Sequence, residues 1–376
     1  MHSVSLHYTL SHRDDTAAPS TTEGTLLRHP LMELLQAVAQ QGSISAAARQ
    51  LNLSYRHVWG ELKRWEEVLG HELIIWEKGQ SAKLTEFGDK LMWAERQTQA
   101  RLAPQLQALR ADLERTFAVA FDPEAHVLTL YASHDDALPR LREQAASAGL
   151  HLDIRFCGSV DAIRALNEGR CTLAGFHTQN APADTSHTAK AYKDLLKPGL
   201  HKIIGFATRS QGLITAAGNP LQLHRLADVA RTQARFVQRS PGTGTRVLLD
   251  DLLAQAQLST QDLNNWPDEE PSHTALAEAI ASGRCDVGLG IESTARARGL
   301  GFVPLVQEQF HLVCLKSALD TPATQALRSL LQTPAWQDTL NTLPGYQAQD
   351  SGHVQSLSQQ LPWWTFKQAK KTRHPQ

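Results

Sequence analysis

Residues 42–69 read Gly-Ser-Ile-Ser-Ala-Ala-Ala-Arg-Gln-Leu-Asn-Leu-Ser-Tyr-Arg-His-Val-Trp-Gly-Glu-Leu-Lys-Arg-Trp-Glu-Glu-Val-Leu, and their reading decides the first domain. Ser43 and Ser54 each stand just before a helical pattern, where a hydroxyl accepts from an otherwise unpaired amide of the first turn. Two helices are expected, linked by no more than Asn52 and Leu53. The first places Ile44, Ala47, Ala48 and Leu51 on one face, and its alanines let a second helix cross closely. The second turns Val58, Leu62, Trp65 and Leu69 inward at helical spacing. Tyr55, Arg56, Trp59 and Lys63 then occupy the outer side, flanked by His57 and Arg64. A stripe that is basic, aromatic and hydrogen-bonding suits a DNA major groove, where cations meet phosphates and planar donors read base edges. The competing reading is an ordinary surface pair of helices with a solvated charged face.

Working outward, Leu31, Leu34, Leu35 and Val38 mark a preceding helix that ends at Gly42, and Gly70 suits a left-handed cap after the second helix. Glu72 to Trp76 is apolar enough for a strand. Lys78-Gly79-Gln80-Ser81-Ala82-Lys83 is a basic turn before Leu84-Thr85. The two together predict a hairpin wing, in which Lys78 and Lys83 reach phosphate while Gly79 and Gln80 approach a groove; an exposed hairpin tip is the alternative. The stretch from Leu31 to Thr85 resembles the winged helix-turn-helix of the ModE and LysR families of bacterial regulators. Ser-Ile-Ser-Ala-Ala-Ala (43–48) followed by Leu-Ser-Tyr-Arg-His-Val-Trp (53–59) resembles the ModE type most closely. The DNA-contacting set expected from this reading is Ser43, Ser45, Ser54, Tyr55, Arg56, His57, Trp59, Lys63, Arg64, Lys78, Gln80 and Lys83.

Thr85 then suits an N-cap for a long helix with Leu91, Leu102, Leu106, Leu109, Leu113 and Phe117 as its apolar positions. Repeated steps of four and three suit pairing across a two-fold axis, and two-fold operators call for two recognition helices. A homodimer is expected, with a tetramer left open; packing of this helix on its own chain is the alternative. Pro104 predicts a kink or a restart.

A chain of 376 residues is too long for one ordinary core. Its formal net charge of −1 gives no global attraction to nucleic acid, so DNA binding must rest on a local basic face. Cys157, Cys171, Cys285 and Cys314 show no metal-ligand spacing and read as reduced thiols. With no signal-like or membrane-length apolar run, a cytoplasmic location is expected.

After a hinge at 118–126 containing Pro123, the pattern changes to short apolar runs alternating with helices. Strands are expected at 127–131, 152–157, 171–176, 212–214, 235–237, 286–291, 302–305 and 310–314. That alternation implies mostly parallel sheets covered on both faces, two of them with crossover links, whose sites lie at the carboxyl ends of strands. The expected division is a disordered leader 1–28, a winged helix-turn-helix 29–86, a dimerisation helix 87–120, a two-lobed sensing domain 121–350 and a tail 351–376. In class terms this is a multidomain chain, with an N-terminal all-α winged helix-turn-helix and dimerisation helix before a C-terminal α/β two-lobed domain. Residues 127–350 resemble the periplasmic-binding-protein-like domain that follows ModE-type units in some bacterial regulators. The resemblance rests on Ala132-Ser133-His134-Asp135, Gly212-Leu213, Gly218-Asn219-Pro220, Arg239-Ser240-Pro241-Gly242-Thr243-Gly244-Thr245-Arg246, His273-Thr274 and Gly288-Leu289-Gly290-Ile291-Glu292. It is similar to molybdate-binding transport proteins, which implies a small-anion effector, an oxyanion such as molybdate or tungstate, and no prosthetic group.

The strongest site segment is Ser240 to Arg246. Its glycines Gly242 and Gly244 permit close approach, Ser240, Thr243 and Thr245 offer hydroxyls, and the helix that follows presents free amides. Ser133 and His134, with Gly158 and Ser159, occupy strand-to-helix corners across a cleft, and His177, His273 and Thr274 are further candidates. Arg209, Arg239 and Arg246 bear on the ligand: a guanidinium in the cleft brings a planar carboxylate such as formate into contention. Asp135 and Asp136 would oppose an anion unless turned away. Seventeen histidines make chance triads easy, but no Gly-X-Ser-X-Gly elbow, zinc helix or dinucleotide fingerprint organises them into an enzyme. The remaining rival is an architectural DNA-binding protein whose second domain only oligomerises.

Overall fold

The computed structural model describes residues 29–75, 81–121 and 126–364, and the chain forms two compact units that divide between Leu106 and Gln107. The leader, the wing tip with Lys78 and Gln80, Pro123 and the basic end of the tail lie outside the described residues.

The first unit follows the expected pattern closely. Helices α1 (Pro30–Gln41), α2 (Ile44–Gln50) and α3 (Tyr55–Leu69) precede a hairpin of β1 (Ile74–Ile75) and β2 (Lys83–Leu84), and α4 (Glu86–Phe121) follows, its residues from Gln107 onward belonging to the second unit. The Ser43 and Ser54 hydroxyls accept from the amides of Ala46 and His57, so both serve as the predicted caps. Gly42 and Gly70 close α1 and α3 in the left-handed conformation, which glycine adopts without a side-chain clash. Leu31, Leu34, Leu35, Val38, Ala47, Val58 and Leu62 form the core beneath the wing residues Leu73 and Ile74. Helix α4 runs unbroken through Pro104, so the predicted restart does not occur.

The second unit is built on one mixed sheet rather than the two expected. The first lobe contains β3 (His126–Ala132), α5 (Ala137–Ser147), β4 (Leu150–Phe156), α6 (Ser159–Asn167), β5 (Leu173–Gln179) and α7 (His187–Tyr192). Strand β6 (His201–Thr215) crosses to the second lobe. That lobe contains α8 (Leu226–Thr232), β7 (Arg235–Arg239), α9 (Gly244–Gln255), β8 (Asn264–Glu270), α10 (His273–Ala281), β9 (Val287–Ile291) and α11 (Glu292–Arg296). Strand β10 (Gly301–Leu315) returns, and α12 (Pro322–Leu331), α13 (Pro334–Asn341), β11 (Tyr346–Gln347), β12 (Val354–Ser356) and α14 (Leu357–Gln360) complete the first lobe.

The strand order is β4-β3-β5-β10-β6-β9-β7-β8, with β11 and β12 also paired to β6. Parallel pairs β3–β4, β3–β5, β7–β8 and β7–β9 make the lobes, while the long antiparallel pair β6–β10 joins them. The segments expected as separate strands at 302–305 and 310–314 are both parts of β10. The expected tail boundary at 351 also fails, because β12 lies in the sheet and Trp363 is buried with its Nε1 donating to Pro182 O. Among the described residues, no helix is long and apolar enough to cross a membrane.

Candidate functional site

In the first unit, Tyr55, Arg56, His57 and Arg64 on α3 are exposed, as are Ser45 and Lys83. Trp59 departs from the predicted outward placement. One residue beyond Val58, it sits at the edge of the apolar stripe, and its large ring is half-buried against the core. Tyr55 stacks on it at 6.4 Å between centroids and Lys63 Nζ lies 5.1 Å over its ring. Trp65 and Leu69 are half-buried rather than fully inward.

Glu66, which the sequence reading passed over, ties α3 to the wing. Its Oε1 accepts from Leu73 N at 2.8 Å and Ile74 N at 3.3 Å, and its Oε2 from Lys63 at 2.6 Å. Burial favours the neutral acid, but the Lys63 bond and the two amides outweigh it and hold its pKa below the ordinary value.

In the second unit, the carboxyl ends of strands from both lobes converge. Ser133 and His134 follow β3, Gly158 and Ser159 follow β4, Arg239 ends β7 and runs into the N-terminus of α9, and His273 opens α10 after β8. Ser133 Oγ and Ser159 Oγ are 3.4 Å apart. A side chain at Gly158 would strike Gly242 O at 2.7 Å, and Val160 N donates to that carbonyl at 3.3 Å. A side chain at Gly244 would stand 3.1 Å from both His177 Nδ1 and Ser159 Oγ. These approaches put His177 and Ser159 of the first lobe against the first turn of α9 in the second.

Two carboxylates fasten the lobes around that contact. Asp251 of α9 accepts from the amides of His187 and Thr188 at the start of α7, at 2.6 and 3.1 Å. Asp136 accepts from Ser293 Oγ at 2.6 Å and Thr294 Oγ1 at 2.9 Å.

Several buried polar atoms here have no hydrogen-bond partner. They are both ring nitrogens of His177, Nδ1 of His134 and of His273, Oε1 of Gln211, and Nε and Nη1 of Arg239. Buried groups of this kind carry a desolvation cost unless something satisfies them, so their convergence makes this the candidate site. Burial, followed by Arg209, pushes the Arg239 pKa down to about 9. Burial pushes His134 down to about 4, and burial together with Arg239 and Arg209 drives His177 and His273 well below the ordinary value. The cluster is therefore one of neutral imidazoles beside one poorly compensated guanidinium.

The three candidate arginines separate sharply. Arg209 is removed from the expected ligand set: it bonds Asp135 and Glu308 and is 1% exposed. Burial works against its charge, but Glu308 and Asp135 hold its pKa above the ordinary value. Arg246 is removed as well, because it lies by Glu269 at 3.5 Å and Asp250 at 3.9 Å. Arg239 is the one of the three with buried donors that lack a partner, Nε and Nη1, its Nη2 being engaged with Pro271 O at 2.9 Å. Asp135 does turn away from an incoming anion, accepting from Arg209, Tyr346 Oη and Ala137 N.

Thr243 caps α9 through Arg246 N, and Thr245 Oγ1 lies 3.4 Å from His273 Nε2 and 3.2 Å from Gln211 Nε2. Ser240 and Thr274 are half-buried at the edge of the cluster. Gln211 and Asp251 escaped notice because an isolated amide or acid in a polar run carries no local signal.

The first unit holds a helix-turn-helix, and the second a two-lobed α/β domain in which strand ends from both lobes converge. Residues 141–332 match the PBP superfamily domain, and the chain belongs to that superfamily. Residues 30–89 match the bacterial regulatory helix-turn-helix of the lysR family, so a LysR-type helix-turn-helix domain precedes the PBP-like domain in this chain. The chain is 26% identical over 234 residues to Uncharacterized protein YvgK of Bacillus subtilis, covering 62% of this chain and 75% of that one. It is 30% identical over 170 residues to Molybdate-binding protein ModA of Mycobacterium tuberculosis, covering 44% of this chain and 59% of that protein. The crystal structure of CbnR, a LysR family transcriptional regulator, aligns with a TM-score of 0.40 at 14% identity over 81% of this chain and 98% of that one.

Proposed function

We propose that this regulator senses a small oxyanion, molybdate or tungstate foremost, in the cleft between its PBP-like lobes. The observation that carries the reading is the set of buried, partnerless polar atoms on His134, His177, Arg239 and His273 beside the first turn of α9. A helix N-terminus supplies amides and a positive dipole end, and the serine and threonine hydroxyls supply neutral donors. The stretch of similarity to a molybdate-binding protein favours a tetrahedral oxyanion. The free donors of Arg239 favour a small carboxylate such as formate as the second reading.

Anion binding holds the lobes closed through Asp136 and Asp251, and closure changes how two DNA-binding units meet an operator. Regulation needs a coupling of about 1–3 kcal/mol between anion and DNA. The DNA contacts in this proposal come from Ser45, Tyr55, Arg56, His57 and Arg64 on the exposed side of the helix pair, with Lys83 at the wing. Leu109, Leu113 and Phe117 are 57%, 43% and 42% exposed at steps of four along α4, which supports pairing with a second copy. Calorimetry of the full chain with molybdate, tungstate, sulfate and formate tests the sensor. No heat with any of the four would sink the oxyanion reading, and binding of formate alone would replace it with the carboxylate one. For the DNA side, Arg56→Ala costs about 1–3 kcal/mol of specific affinity if Arg56 reads a base, and reduces the salt slope if it meets phosphate.

A further inference from the structure

The cleft offers little spare positive charge to an anion. Arg209 is matched by Asp135 and Glu308, Arg284 lies 3.7 Å from Glu270, Arg298 bonds Glu278 at 2.9 Å, and Glu270 also acts on Arg239. Asp136 adds a further carboxylate beside His134. A doubly charged oxyanion arriving here meets one partly compensated guanidinium and a fringe of acids.

His177 is placed to change that. It lies on β5 with its ring 4.1 Å from Phe310, and its Nδ1 is near the α9 turn that would receive the anion. A neutral imidazole has one N–H donor and one bare lone pair, and both nitrogens of His177 lack partners in this structure. Protonation turns the second nitrogen into a donor and adds the missing positive charge. The charged and titratable groups that act on it are Arg209 on β6, His311 on β10 and Arg239 on β7, with His273 of α10 acting on both His177 and His134 to complete the histidine cluster. Burial, Arg209, His311 and Arg239 hold its pKa well below the ordinary value. An anion in contact reverses the balance, because an opposite charge favours the charged form.

We infer that the cleft takes up its anion together with a proton, received by the cluster of His134, His177 and His273, with His177 as the principal acceptor. The inference rests on the oxyanion reading above and adds a condition to it: the sensor responds to the anion and to pH jointly. By linkage, a complex that binds one more proton than its free components gains affinity as pH falls, about tenfold per pH unit while uptake is complete.

The test is titration calorimetry of the full chain with sodium molybdate, between pH 6 and 8.5, in buffers of low and high protonation enthalpy. Tighter binding at lower pH is expected, with a heat that differs between buffers by about one proton per anion. His177→Gln should retain binding and lose most of the buffer dependence; His134→Gln and His273→Gln should lose less, with melting curves reporting that each variant is folded. Binding with buffer-independent heat and affinity flat across pH overturns the proton uptake and leaves the oxyanion reading standing. Uptake unchanged in His177→Gln, or abolished only in His134→Gln or His273→Gln, overturns the assignment to His177. Absence of molybdate binding at every pH is a failure of the oxyanion reading itself.

Discussion

Replacing Arg239 by methionine should move stability and ligand response in opposite directions. The Arg239 guanidinium is 2% exposed, has two unpartnered donors and has a pKa lowered from 12.5 to about 9. The unfolded chain binds the proton more tightly than the folded one, so the penalty on the cation is fully present below pH 9 and is relieved only as pH rises through that value. At about 1.4 kcal/mol for each tenfold step, the penalty is on the order of several kcal/mol at neutral pH. Methionine fills similar space without the charge. Against the relief stand the lost bond to Pro271 O, worth about 1 kcal/mol, and a Glu270 carboxylate that keeps Arg284 nearby. The ligand-free variant should therefore melt no lower than wild type, and up to several degrees higher.

Anion affinity should fall by about 2–5 kcal/mol, roughly 30-fold or more, because the cation facing the ligand is gone. At a molybdate concentration of 100 times the wild-type Kd, wild type gains about 2.7 kcal/mol of stability. The same concentration stands at about three times Kd or less for the variant, which gains only about 0.8 kcal/mol. Thermal melting with and without molybdate reads both effects. An Arg239→Met protein that melts well below wild type yet keeps the full ligand gain would refute the reasoning and make Arg239 a structural residue.

The remaining predictions concern the groups around this one. Because burial lowers His134 and His311 to about 4, the unfolded chain binds more protons between pH 6.5 and about 4. Their stabilising effect is full above that window and is lost as pH falls through it, by up to about 1.4 kcal/mol per pH unit each; urea midpoints that do not fall between pH 6.5 and 4.5 would contradict this. Asp251→Asn keeps the shape but removes the charge that α7 donates to, so the closed lobes should lose about 1–2 kcal/mol and anion affinity about 5- to 30-fold. Unchanged affinity would show that closure does not depend on this latch. Glu66→Ala strips the acceptor from the Leu73 and Ile74 amides and should destabilise the first unit by about 2–4 kcal/mol in denaturant melts, with Glu66→Gln intermediate. Equal stability of Glu66→Ala and wild type would remove Glu66 as the link to the wing.

The parts of the molecule legible in the sequence are those whose physics is local. Ser43 and Ser54 cap helices within three residues of themselves, and the strands at 127–131 and 152–157 were visible as short apolar runs ahead of helices. The single sheet was not visible, because β6 carries Thr208-Arg-Ser-Gln211 through its middle and such a run reads as solvent-facing loop. It is buried strand only because Glu308 stands opposite Arg209 in register and Gln211 reaches the same carboxylate, partners supplied from about a hundred residues away. The arginines make the same point about the site. Arg209, Arg239 and Arg246 are identical as letters, and each lies near a plausible ligand loop. Distant carboxylates bond the first, the acids at Asp250 and Glu269 hold the third, and the second keeps two donors that no protein atom satisfies. Matched charges specify the fold, whereas a buried donor without a match raises the energy of the empty protein and is relieved by ligand. On that argument the cleft's affinity comes from strain the fold tolerates at Arg239 and the histidines, and a substitution that relaxes the empty protein there should weaken sensing in proportion.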